Sequence, residues 1–163
     1  MPEELVIDGM KLEYSGILDL RELYNFIFDF WERNGFGVLE TKHKEKVSKD
    51  GKKREIEAEF SISRDETDYA KYIYELFIII PEAKLVDTDN NYINEVSDMT
   101  IKLNGKLEYD YSSYFSKDKP FTSFLRVLYE SYINKTEIKY HKDNVAKYGI
   151  EFFKELRKLL KMY

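Results

Sequence analysis

The sequence contains no cysteine, which excludes disulfides, thiolate metal sites and cysteine nucleophiles. Glutamine is also absent, and only 3 prolines and 7 glycines occur in 163 residues, which predicts short loops. No long apolar run is present. The longest, from Leu76 to Ile80, is far too short to cross a bilayer. The N-terminal MPEELVIDG has neither a basic region nor an apolar one of signal-peptide type, so the expectation is a soluble, cytoplasmic protein. There is no P-loop, dinucleotide fingerprint, G-x-S-x-G or H-E-x-x-H pattern. The net charge of −5 argues against coating nucleic acid or a membrane surface.

What is present is a large supply of core. Hydrophobic residues make up 43% and aromatic residues 16% of the chain, with 14 Tyr and 11 Phe. That composition predicts a packed fold rather than disorder. The length suits one domain over residues 1–163. The 35% of charged residues, mostly Lys and Glu, resembles thermophile composition.

The closing stretch, Asn144 to Tyr163, organises the rest. Val145, Tyr148, Phe152, Leu156, Leu159 and Tyr163 recur at steps of three and four, the spacing of one helix face. Asp143 or Asn144 is placed to cap its start. So aromatic a face must lie on an apolar surface, and the preceding chain supplies strands for it. Glu4 to Ser15 alternates around Asp8-Gly9, which predicts a strand with a bulge or a very short hairpin. Asp19 and Glu22 signal a helix start, and the stripe Leu20, Leu23, Tyr24, Ile27, Phe30, Trp31 predicts a helix over 20–34, stopped by Gly35.

Phe36 to Ser63 reads as a hairpin turning at Asp50-Gly51. Pairing Lys49 with Lys52 fixes a register that sets Lys46, Lys44 and Lys42 opposite Glu55, Glu57 and Glu59 on one face. On the other face it sets His43 opposite Ala58, Glu45 opposite Ile56, Val47 opposite Arg54, Thr41 opposite Phe60 and Leu39 opposite Ile62. Glu66 to Ile80 predicts a long strand ended by Pro81. Ala83–Val86 and Met99–Tyr111 read as two further strands, with a bulge or turn at Asn104-Gly105. A second stripe, from Phe121 to Tyr132, opens on Pro120 and reads as a helix. Asn134 to Lys142 is consistent with loop, strand or helix.

This order predicts an α+β fold: a curved antiparallel sheet with an N-terminal helix and a long C-terminal helix packed on one face. The layout resembles the START-like, or helix-grip, fold. In that family the C-terminal helix lies across the sheet and often roofs an apolar cavity, which the resemblance would imply here. The resemblance rests on element order over most of the chain and carries no motif. Stretches such as LVIDGMKLEYSG also resemble small archaeal proteins, a likeness that brings no function with it.

Several residue sets could carry chemistry. His43, Glu45 and Arg54 share the core side of the predicted hairpin, where they could move protons or hold an anion. A partly exposed histidine near a hairpin tip is the plainer reading. Asp87, Asp89, Asn91, Glu95 and Asp98 match the spacing of oxygen ligands in a calcium loop. Tyr92 stands where such a loop needs glycine, and the flanks read as strands, so a polar hairpin loop is the plainer reading. Asp65, Glu66 and Asp68 form an acidic turn. Lys49, Lys52, Lys53 and Arg54 form a basic tip, with no aromatic among them to stack a base.

Three functions follow as expectations. The first is a non-enzymatic domain acting through a protein partner or a second copy of itself, using Tyr111, Tyr114, Phe115 and Phe121 as interface anchors. The second is a small-molecule binder with an apolar cavity under the C-terminal helix, walled by Tyr72, Tyr74, Tyr109 and Phe152. In the third, closure of the sheet into a barrel would turn the Lys42–Lys46 and Glu55–Glu59 rows inward, an arrangement similar to the triphosphate tunnel enzymes. Hydrolysis of a triphosphate would then be implied. No cofactor is expected.

Overall fold

The computed structural model describes residues 3–67, 69–86, 92–109 and 134–162. In chain order these form β1 (Glu3–Asp19), α1 (Leu20–Arg33), β2 (Gly37–Val47), β3 (Lys53–Asp65), β4 (Ala70–Leu85), β5 (Ile93–Tyr109) and α2 (Asn134–Leu159). The fold is α+β. The five strands make one antiparallel sheet in the order β1-β5-β4-β3-β2, with β1 and β2 at the edges. Both helices pack on the same face of it.

Alternation dictates that face. Ile56, Ala58, Phe60 and Ile62 of β3, Tyr72 to Ile80 at even positions of β4, and Met99, Ile101, Leu103 and Leu107 of β5 are all buried. The opposite face carries the lysine and glutamate rows. There Lys42 bridges Glu57 at 3.3 Å and Glu59 at 3.7 Å.

Helix α1 must carry the chain from the β1 edge to the β2 edge. Fourteen residues rise about 21 Å, enough to cross the roughly 19 Å between the outer of five strands. It starts where Asp19 pairs with Ile93, at the start of β5, and ends next to Gly37, which pairs with Ser63 near the end of β3. The helix therefore crosses the sheet obliquely. One side of its path is filled by α2, and on the other side the corner formed by β2, β3 and β4 is left open. The Asp19 side chain accepts from the Arg21 and Glu22 N–H groups at 3.0 and 3.2 Å, and Gly35 stops the helix at φ +85°.

Helix α2 approaches the sheet closely at Gly149. A Cβ there would collide with Ile7 Cδ1, and a Cβ on Gly105 of β5 would stand 3.1 Å from the same atom. Two glycines thus make the hole that seats Ile7, and they set how near α2 lies to β1 and β5.

The N-terminal segment is a strand with a bulge, one of the two forms expected: β1 has irregularities around Ile7–Met10, where Gly9 has φ +71° and donates to Asn104 Oδ1 at 2.8 Å. The structure corrects four other expectations. Pro81 does not end β4. It lies at a register break between β3 and β4, where its missing N–H removes no ladder bond. Residues 83–85 belong to β4, and β5 begins at Ile93 rather than Met99 and runs unbroken through Asn104-Gly105. Helix α2 extends back to Asn134, so Asp143 and Asn144 lie within it and cap nothing. The β2–β3 register holds from Val47 down to Lys42 but slips at a bulge at Thr41, which sets Val38 opposite Ile62 and Glu40 opposite Phe60. Leu39 is turned outward, 65% exposed.

Candidate functional site

The corner that α1 leaves uncovered is a cleft of about 460 Å³. Its floor is Leu23 of α1 with Ile56, Ile78 and Ile80 of the sheet, all buried in the core. Its rim carries Arg21, Tyr24, His43, Glu45, Arg54 and Tyr92. The three residues that the sequence grouped, His43, Glu45 and Arg54, therefore meet at one site. The strand periodicity delivers them: His43 and Glu45 are two apart on β2, and Arg54 pairs across the ladder with Val47.

The rim is tied together by polar contacts. Glu45 Oε1 accepts from Arg54 Nη1 at 2.6 Å, and Arg54 Nη2 donates to Asn94 Oδ1 at 3.1 Å. Asn94 is fully buried, so it anchors the guanidinium from below. His43 Nδ1 lies 3.0 Å from Glu40 Oε1 and 3.1 Å from Tyr24 Oη, while Nε2 lies 3.8 Å from Glu45 Oε2. A carboxylate only accepts, so the proton on Nδ1 is directed at Glu40. Burial, with Glu40 and Glu45 beside it, pushes the Tyr24 phenol well above its ordinary range and keeps it a neutral hydroxyl. Across the cleft the Arg21 guanidinium lies over the Tyr92 ring, 4.8 Å from its centroid.

Glu40, Tyr24, Asn94, Arg21 and Tyr92 were not anticipated as site residues. Glu40 reaches His43 only because the bulge at Thr41 turns it onto the helix-covered face. In an unbroken ladder it would point the other way. Thr41 Oγ1, bonded to Glu59 O at 3.3 Å, holds that bulge. Tyr24 is one of several aromatics in a core stripe, and nothing in its spacing marks it out. Tyr92 and Asn94 sit in the connection read as a polar or calcium loop.

The residues expected to wall a cavity under the C-terminal helix instead fill that space. Phe152 packs on Trp31, Phe30 and Phe26 with ring centroids 5.3, 5.4 and 5.6 Å apart. Tyr74 is fully buried and donates to Val145 O at 2.7 Å. Tyr72 bonds His141 Nδ1 at 2.7 Å and accepts from Asn144 Nδ2 at 3.2 Å. Tyr109 stands apart from them, on a shallow groove with Glu4, Ile138 and Lys142. Burial pushes the Tyr72 phenol up to about 12 and holds the His141 imidazole below its usual value. Arg64 completes the packing. It donates to Asn34 O at 2.6 Å and Tyr148 Oη at 3.2 Å, pairs with Glu66, and stacks on Phe36, Tyr148 and Tyr72. His141, read from the sequence as part of a polar connection without a role, thus lies 4% exposed in the core.

Of the calcium-loop spacing, Asp87, Asp89 and Asn91 lie outside the described residues, as do Tyr111, Tyr114, Phe115 and Phe121 and the helix expected over 121–132. Glu95 and Asp98 lie on β5, where Asp98 takes φ +55° and its N–H donates to Ser15 Oγ at 2.9 Å. Among the described residues no group of three acidic, histidine or cysteine side chains is close enough to hold a metal ion. No described helix is long and apolar enough to cross a membrane. The described strands form a sheet with two edges, and the Lys and Glu rows occupy its face away from both helices. No protein-family model, curated protein sequence or solved structure matches this chain.

Proposed function

We propose that the protein is a non-catalytic binding module that takes a small amphipathic molecule into the cleft beside α1. The observation that carries this reading is the union of an apolar floor with a polar rim around about 460 Å³, within the range of small-molecule sites. Leu23, Ile56, Ile78 and Ile80 would receive an apolar body, and the rim would orient a polar head. Binding is favoured over chemistry because the rim groups that could exchange protons are engaged with one another. Glu45 is held by Arg54, His43 by Glu40, and Tyr24 is kept protonated.

The test is native mass spectrometry of the protein against a set of small amphipathic compounds, repeated on Leu20→Trp. Leu20 lines the cleft and is only partly buried, so an indole there obstructs the entrance. One-to-one adducts on the wild type that disappear in the variant are expected. Adducts that persist equally in the variant place binding elsewhere and overturn the proposal.

A further inference from the structure

The charges of the rim point to the kind of head group the cleft would take. This inference rests on the binding reading above and narrows it to one chemical class. Among the described residues, three formally charged side chains line the cleft: Arg21, Glu45 and Arg54. Glu45 and Arg54 neutralise each other at 2.6 Å, and Arg54 is further held by Asn94. Glu40 lies outside the lining and engages His43 Nδ1. The Asp19 carboxylate faces the backbone N–H groups of Arg21 and Glu22. Arg21 alone remains, its guanidinium lying over the Tyr92 ring and within 4 Å of no carboxylate among the described residues.

The described lining therefore carries one net positive charge, located at the rim above an apolar floor. Arg21 also belongs to the first turn of α1, whose dipole adds positive potential at that point. With the Tyr92 ring on one side, the guanidinium carries N–H donors suited to a planar anion. We infer that the ligand of this cleft is an amphipathic monoanion, an apolar body ending in a single acidic group. Arg21 binds the acid while Leu23, Ile56, Ile78 and Ile80 cover the body. A dianion would bring a second charge next to Glu45 and find no second uncommitted cation among the described lining residues.

The probes are octanoate, octan-1-ol and octylammonium, which share a chain and differ only in head charge. Each is titrated to about 1 mM against wild type and Arg21→Gln, following backbone and methyl NMR shifts. Arg21 is exposed, so its replacement leaves the fold intact. Octanoate is expected to bind with shifts at Ile56, Ile78 and Ile80, the alcohol about tenfold more weakly, and the ammonium not at all. Arg21→Gln should reduce octanoate to the level of the alcohol. If the alcohol or the ammonium binds at those methyls as tightly as octanoate, the cleft is a binding site but the acid inference falls. Octanoate binding that Arg21→Gln leaves unchanged also removes the inference. If none of the three moves these methyls, both the inference and the binding reading fail.

Discussion

Under α2 and under α1 the fold assembles the same four side-chain types, and it does opposite things with them. Beneath α2, Arg64, Tyr72, His141 and Glu66 form a closed set. Its tyrosine and histidine are buried, its hydroxyl is shared between Asn144 and His141, and aromatic rings fill the space around it. Beneath α1, Arg54, Tyr24, His43 and Glu45 stand around an open cleft, with 42% of the His43 side chain and 33% of the Glu45 side chain exposed. The chemistry of the residues does not separate the two groups. What separates them is whether a second helix covers them. The oblique path of α1 leaves one corner of the sheet to α2 and the other to solvent. A histidine near a tyrosine, an arginine and a glutamate is thus a packing device in one corner and a candidate binding rim in the other.

The comparison can be broken by substitution. The largest expected effect belongs to the closed side. Phe152→Ala should destabilise the protein by about 3–5 kcal/mol in urea unfolding, because the rings around it cannot collapse into the space left. A loss below about 1 kcal/mol would mean that the α2 side is loosely packed after all. Next come the paired hydroxyls. Tyr72→Phe should cost about 1–2 kcal/mol, since it leaves His141 and Asn144 without their buried partner. Tyr24→Phe should cost less than about 0.5 kcal/mol, because His43 keeps Glu40 and reaches water. Equal costs would erase the distinction between the two groups.

Gly149→Ala tests the seat of α2. In an exposed helix the exchange would stabilise by about 1 kcal/mol. Here Ile7 is pinned between Gly149 and Gly105, and overpacking of about 1–3 kcal/mol should reverse the sign. A rise in Tm would contradict that. A further test is the pH response of His141. Burial lowers its folded-state pKa below the unfolded value, despite the opposing carboxylates of Glu66 and Glu137. Tyr72 and Asn144 face it with a donor chain that suits the neutral ring, and the Tyr140 ring lies beside it. Its contribution is therefore complete above about pH 6.5 and is lost as pH falls through the folded value. The slope is at most about 1.4 kcal/mol per pH unit. The stability difference between wild type and His141→Phe should shrink from pH 7.5 to 5, and a constant difference would refute the assignment.

How legible this was depended on whether a feature is periodic. The hairpin register was readable from Asp50-Gly51 and the alternating Lys and Glu, and α1 from its stripe, its Asp19 cap and Gly35. Bulges break periodicity, so the slip at Thr41 was not readable, and with it went the approach of Glu40 to His43. The first turns of α2 were obscured by the polar stretch NKTEIKYHK. A signal was nevertheless present, since Ile138, His141, Val145, Tyr148 and Phe152 continue one helical stripe through the histidine. The cleft itself is not written in any local pattern. It arises from the oblique crossing of α1, which depends on how the two edges of the sheet are connected.

The most direct test of the account is a methyl-detected NMR fragment screen of the wild-type protein, with isoleucine and leucine methyls resolved. The account predicts ligand-induced shifts concentrated on Leu23, Ile56, Ile78 and Ile80, with Ile7 and Leu103, which pack against Gly149 of α2, unmoved. Shifts concentrated on Ile7 and Leu103, with the cleft methyls silent, would contradict it.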